Sequence, residues 1–161
     1  MMNLSDALLI KSKSKNELHR CISQNQGKKL IVLGSNDEVN RAAVESKKVF
    51  MLLNPEIERK YDFSDWRNSG LNDVLCKLAS QNDVIIGIDL STLPEERFAR
   101  AERIGRIVQN IRLCRKFKTK LFIFSSKNEF NEHDLRSIAQ TLGASTKQAY
   151  ESLSFKKKII E

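Results

Sequence analysis

Between Thr92 and Phe117 the chain carries Arg97, Arg100, Arg103, Arg106, Arg112 and Arg115. Guanidinium groups grip phosphate oxygens through paired N–H donors, so a helix loaded with them suits a polyanionic partner. Small polar residues close the apolar runs on either side: Asp89 and Ser91 at the end of Val84–Ser91, Ser125 and Ser126 after Lys120–Phe124. Arg67, Asn68 and Ser69 stand just ahead of another helical pattern. Any one arginine has a plainer use as a solvated or salt-bridged side chain. For the set that reading weakens, because strand-end serines and helix-start arginines can hold phosphate together.

Other chemistries find less support. His19 and His133 are isolated, with no His-x-His pair, so a cluster of two or three metal ions lacks its ligands. Asp89 and Asp134 could hold one Mg²⁺, but loop capping and charge pairing explain them better. Gly34 and Gly87 stand alone rather than in a phosphate-binding loop, and no Ser-His-Asp order is recognisable. Cys21, Cys76 and Cys114 are odd in number without CxxC spacing, which reads as reduced core thiols. With 28 Lys and Arg against 20 Asp and Glu, the formal charge is +8 and favours a polyanion. No stretch approaches the roughly 18 apolar residues of a membrane span. The start Met1–Asp6 begins no signal peptide. The expectation is a soluble, cytoplasmic protein, non-catalytic by itself.

The elements that position these residues alternate. Strands are expected at 7–10, 29–34, 48–53, 84–91 and 120–126, and helices at 15–24, 39–45, from Leu71, at 92–117, from Leu135 to Leu142, and to Leu153. Ser69 is expected to cap the Leu71 helix. Thr92 with Glu95, and Ser145 with Gln148, read as capping boxes. Residues 155–161 read as a frayed basic tail on one domain spanning 1–161. Such alternation gives a parallel sheet with helices outside, as a truncated barrel or a doubly wound sandwich. On the arginine-rich helix, Ala101, Ile104, Ile107, Val108 and Ile111 share the apolar face. Arg103 and Arg106 are then solvated on the other side, and Arg112 lies near the edge. Arg100 falls inside the stripe, so its guanidinium should reach past the sheet to the loops, with Arg97 pointing the same way.

The segments RNSGLNDVLCKLA (67–79), VIIGIDLS (84–91), RIGRIVQNIRLCRKF (103–117) and FIFSS (122–126) occur in order, followed by Asp134-Leu135-Arg136 and QAYESLS (148–154). This series resembles the archaeal ribonuclease P protein component 3 family, counterpart of the thirty-kilodalton subunit of the eukaryotic enzyme. The resemblance implies a shortened or incomplete (β/α) barrel related to the polymerase and histidinol phosphatase domain. It implies a protein subunit assisting a catalytic RNA that removes 5′ leaders from precursor tRNA. The Mg²⁺ belongs to the RNA, and the chain itself binds no cofactor. It also implies pairing with ribonuclease P protein component 2 in a heterotetramer. At its start the chain departs from the family, lacking a fuller first strand and a Tyr-Asp-Leu type opening, which leaves barrel closure open.

The residues expected to contact RNA are Arg67, Asn68, Lys77, Arg97, Arg100, Lys127 and Arg136, then Arg103, Arg106 and Arg112, with Ser125 and Ser126 orienting phosphates. Tyr61, Phe63 and Trp66 could stack on unpaired bases, although a core or loop anchor is the plainer use of Trp66. Leu113 and Phe117 are the expected face for the protein partner. Two rival readings are a stand-alone metal-dependent phosphoesterase and a structural adaptor with an incidental basic surface.

Overall fold

The computed structural model describes residues 7–127 and 129–160, with side chains through residue 154. The start Met1–Asp6 and the side chains of the 155–161 tail therefore lie outside the described residues. The strands are β1 (Ala7–Ile10), β2 (Lys29–Leu33), β3 (Val49–Leu53), β4 (Ile85–Asp89) and β5 (Leu121–Phe124). The helices are α1 (Lys15–Gln24), α2 (Asp37–Glu45), α3 (Asp73–Gln81), α4 (Arg97–Phe117), α5 (Glu132–Thr141) and α6 (Thr146–Ile160).

All five strands are parallel and lie in chain order, β1-β2-β3-β4-β5. The order contains no reversal of the kind that marks a doubly wound sheet. It is the order of consecutive units in an α/β barrel. Alternate strand residues point to opposite faces. Val32, Leu52, Ile86, Ile88 and Ile123 pack against Leu18, Val39, Leu75, Ile107 and Ile111 of the helices. The other face joins Ile31, Met51, Ile85, Phe122 and Phe124, with the last two rings stacked 4.7 Å apart. Leu9 on that face remains 47% exposed.

Several boundaries differ from the sequence expectation, each for a local reason. The polypeptide after β4 makes a 3-10 turn at Leu90–Thr92, and α4 starts only at Arg97. Its N-cap is Glu96, whose carboxylate accepts from the Phe98 and Ala99 amides at 2.8 and 2.6 Å, in place of the Thr92–Glu95 box. Asn72 rather than Ser69 caps α3, accepting from Leu75 N. The Ser145–Gln148 reciprocal bonds form as expected, at 3.1 and 3.2 Å. The helix they start runs to Ile160, beyond Leu153 and through the basic run.

Three buried carboxamides join the loops at the C-terminal ends of the strands. Asn40 Nδ2 donates to Pro55 O and Gly70 O, both at 3.1 Å, while its Oδ1 accepts from Ser35 N at 2.9 Å. Asn54 Oδ1 accepts from Asp89 N at 2.8 Å and its Nδ2 donates to Thr92 Oγ1 at 3.2 Å. Asn110 Nδ2 donates to Ser69 O at 3.0 Å. Gly70 fits this crowded rim at φ +77°, where a Cβ would overlap Pro55 O. Gly70→Ala is therefore expected to lower the unfolding free energy by about 2 kcal/mol, read as a shifted urea midpoint at unchanged slope.

Candidate nucleic-acid interface

The loop from Asn54 to Asn72 is the longest irregular segment between β3 and α3, and α4 holds it by charge. Arg103 Nε meets Glu56 Oε1 at 3.1 Å, and the same guanidinium bonds Thr92 Oγ1 at 2.7 Å and Thr92 O. Arg106 Nε meets Asp62 Oδ1 at 2.8 Å while its NH1 reaches Arg59 O at 2.7 Å. Arg67 takes the other oxygen of Asp62 at 2.7 Å. Gln109 bridges the Arg67 backbone in both directions, at 3.0 and 2.7 Å. Arg59 pairs with Asp37 and donates to Ser35 O at 2.9 Å.

Arg103 and Arg106 were expected in solvent, but they are 6% and 5% exposed. The buried side of α4 is Arg103, Arg106, Ile107, Asn110, Ile111 and Cys114. Ala101, expected on the apolar face, is exposed instead. The helix is rolled from the purely apolar stripe because carboxylates in the loop neutralise two inward charges. Neither guanidinium is open to RNA. Glu56 is fully buried with Oε2 lacking a hydrogen-bond partner, and burial pushes its carboxyl up against the opposing pull of Arg103. For Asp62, burial alone would raise the pKa, but hydrogen bonds from Arg106, Arg67 and Asn68 N overcome it and hold it at about 2.

The remaining site residues separate by exposure. Lys77, Arg97, Arg112 and Lys127 are exposed, and Arg97, Arg112 and Lys127 make no ion pair among the described residues. Lys77 lies 5.3 Å from the Phe117 ring centre. Arg100 does reach the loop as expected, donating to Pro94 O and Glu95 O at 2.7 and 2.8 Å, yet it is exposed rather than within the apolar stripe. Arg67 is exposed but shares Asp62, and Asn68 is half-buried beside it. Arg136 lies over the Tyr150 ring at 4.5 Å, with its Nε buried and unpartnered. Of the two serines, Ser126 reaches the surface, whereas Ser125 is buried with its Oγ unpartnered. Ser125 therefore cannot orient a surface phosphate. Leu113 and Phe117 are half-buried against the core rather than standing open for a partner.

The strand ends are tied by Asp89. Its Oδ1 accepts from Ser91 N, Ser91 Oγ and Ser126 N at 3.0, 2.7 and 3.0 Å. Ser91 Oγ and Ser126 Oγ are 2.7 Å apart. Asp134 closes a capping box with Asn131 at the start of α5. Both acids thus have the capping roles that competed with metal binding. Among the described residues no group of three His, Cys, Asp or Glu is placed to hold a metal. Nor is any described helix long and apolar enough to cross a membrane.

Sequence reasoning missed Asn40, Asn54, Glu56, Arg59 and Asp62. The available signal was the presence of Glu56, Glu58, Asp62 and Asp65 in one loop of a chain with an arginine-rich helix. Asp62→Asn should leave Arg106 buried beside a neutral group and lower stability at pH 7 by roughly 2–3 kcal/mol. Because the native carboxyl titrates below its usual 3.8, this contribution is complete above 3.8 and disappears as pH falls through about 2. Denaturation of both proteins across that range should show the two stabilities converging.

No protein-family model matches the chain. It is 36% identical over 140 residues to "Ribonuclease P protein component 3" of Methanosarcina mazei, covering 82% of this chain and 54% of the relative. The protein of that name from Methanocaldococcus jannaschii is 32% identical over 140 residues, covering 83% of this chain and 57% of the relative. A chain in the cryo-EM structure of archaeal ribonuclease P with mature tRNA superimposes with a TM-score of 0.77 at 27% identity, over 96% of this chain and 66% of that one. The chain spans about half the length of the curated relatives it matches. Sequence and fold together put it in the ribonuclease P protein component 3 family.

Proposed function

We propose that this chain is a protein subunit of ribonuclease P, assisting the catalytic RNA as it removes 5′ leaders from precursor tRNA in the cytoplasm. The observation that carries the reading is the match, over nearly the whole chain, to a chain of archaeal ribonuclease P solved with tRNA. In this reading the five-stranded sheet is a segment of a barrel of the polymerase and histidinol phosphatase type. Component 2 is the protein partner, and Mg²⁺ serves the RNA rather than this chain. Arg97, Arg100, Ser126 and Lys127 on the rim, Arg67 and Asn68 on the 54–72 loop, and Lys77, Arg112 and Arg136 on the helices supply the RNA contacts. Their work is electrostatic: each neutralised phosphate releases counterions and lets the RNA compact at lower ionic strength.

The test is cleavage of precursor tRNA at modest Mg²⁺ by the cognate RNA, with and without component 2 and this chain. Stimulation that requires both proteins, and no cutting by the chain alone, is the expected result. Cutting by the chain alone after removal of trace RNA would overturn it. Replacing Arg97 and Lys127 together by alanine should leave the denaturation midpoint unchanged. It should also reduce the salt-dependence slope of RNA binding by about 1.5. An unchanged slope would remove those two residues from the interface.

A further inference from the structure

We propose that the cleft between the 61–72 loop and the start of α3 is a pocket for one unpaired nucleotide of RNA. The inference rests on the subunit reading above and gives that RNA a specific point of contact. The cleft has a volume of about 410 Å³, within the range of small-ligand sites. Phe63, Trp66 and Val74 give it apolar lining, and Arg41 and Arg67 line it as well. Phe63 and Trp66 are 53% and 59% exposed, with ring centres 5.5 Å apart and planes inclined at 49°.

Large aromatic surfaces left in water call for an explanation, and looseness of the loop does not supply one. Phe63 N–H donates to Trp66 O at 3.0 Å, closing a tight turn. Asp62, the preceding residue, is held by Arg106, Arg67 and the Asn68 amide. The rings are thus displayed on an ion-paired base, and little ordering remains to be done when a planar group stacks on them.

The chemistry at the edge selects the occupant. Two guanidinium groups beside aromatic walls fit a flat ring carrying an anionic phosphate. Each guanidinium is held by one carboxylate, Arg41 Nε by Glu45 and Arg67 NH1 by Asp62, both at 2.7 Å, and an aliphatic side chain from a protein would use the walls and leave their remaining N–H donors unused. Asp37 also lines the cleft, but Arg59 neutralises it. The Asn68 side chain makes no hydrogen bond among the described residues, leaving its carboxamide available to a base edge.

Trp66 is the only tryptophan in the sequence, so its fluorescence reports on this cleft directly. The full chain would be titrated with a single-stranded oligoadenylate of about ten nucleotides, with an RNA duplex of the same length, and with inorganic polyphosphate. Saturable quenching by the single strand, and not by the other two, is expected. Trp66→Ala should weaken single-strand binding on the order of tenfold while duplex binding holds, and Trp66→Phe should restore most of the loss. Circular dichroism of each variant checks folding. Equal quenching by polyphosphate or duplex, quenching by component 2 alone, or unchanged single-strand affinity of Trp66→Ala would overturn the pocket. Duplex binding with silent Trp66 would sink the pocket and leave the subunit reading standing, whereas failure to bind any RNA would sink both.

Discussion

Two guanidinium groups turned inward by α4 hold the candidate rim together. A buried charge is costly unless paired, and removing one partner leaves the other stranded. Arg103 with Glu56 and Arg106 with Asp62 therefore make the 54–72 loop and the helix behave as one body. The three buried asparagines extend that body to the loops after β2, β3 and β4. A segment with no regular secondary structure of its own is placed as firmly as the strands it follows. What remains outside includes Arg97, Arg112 and Lys127, exposed cations with no ion pair among the described residues.

This arrangement assigns the chain's arginines two different jobs. Those paired inside stabilise the loop and add nothing to the external field. Those left outside supply exposed positive charge, the kind of surface that favours a polyanionic partner. Composition counts both kinds alike, which is why a charge of +8 indicates a class of partner without indicating a contact surface.

The same distinction explains what could be read from the sequence. The strands were legible because each is a short aliphatic or aromatic run buried in a parallel sheet. The α1 boundaries matched because Ser14 caps the helix and its buried residues follow a simple period. On α4 the periodic argument misjudged the face, since it treats arginine as an outward residue and here two are inward. Neither Asn40 nor Asn54 belongs to a pattern; their role depends on three loops meeting, a fact of tertiary structure. The exposure of Arg97, Lys127 and Ser126 on the candidate rim was legible, but the burial of Arg103, Arg106 and Ser125 was not. The RNSGLND segment was recognisable for a reason the structure supplies. Arg67 shares Asp62, Ser69 receives Asn110, Gly70 takes positive φ and Asn72 caps α3. Much of that motif is scaffold.

The last strand carries a further consequence. β5 reads Leu-Phe-Ile-Phe, four apolar residues with no charge and no proline, at one end of the sheet. Such an edge is a template for pairing with another chain. Here the Ile123 N–H donates to Ser152 Oγ at 2.8 Å, and Ser152 is itself buried on α6. One hydroxyl from a helix occupies a donor that an intermolecular strand would need. Protection against aggregation at this edge thus comes from α6 rather than from the composition of the strand, and unwinding that helix would expose the most self-adhesive segment of the sheet.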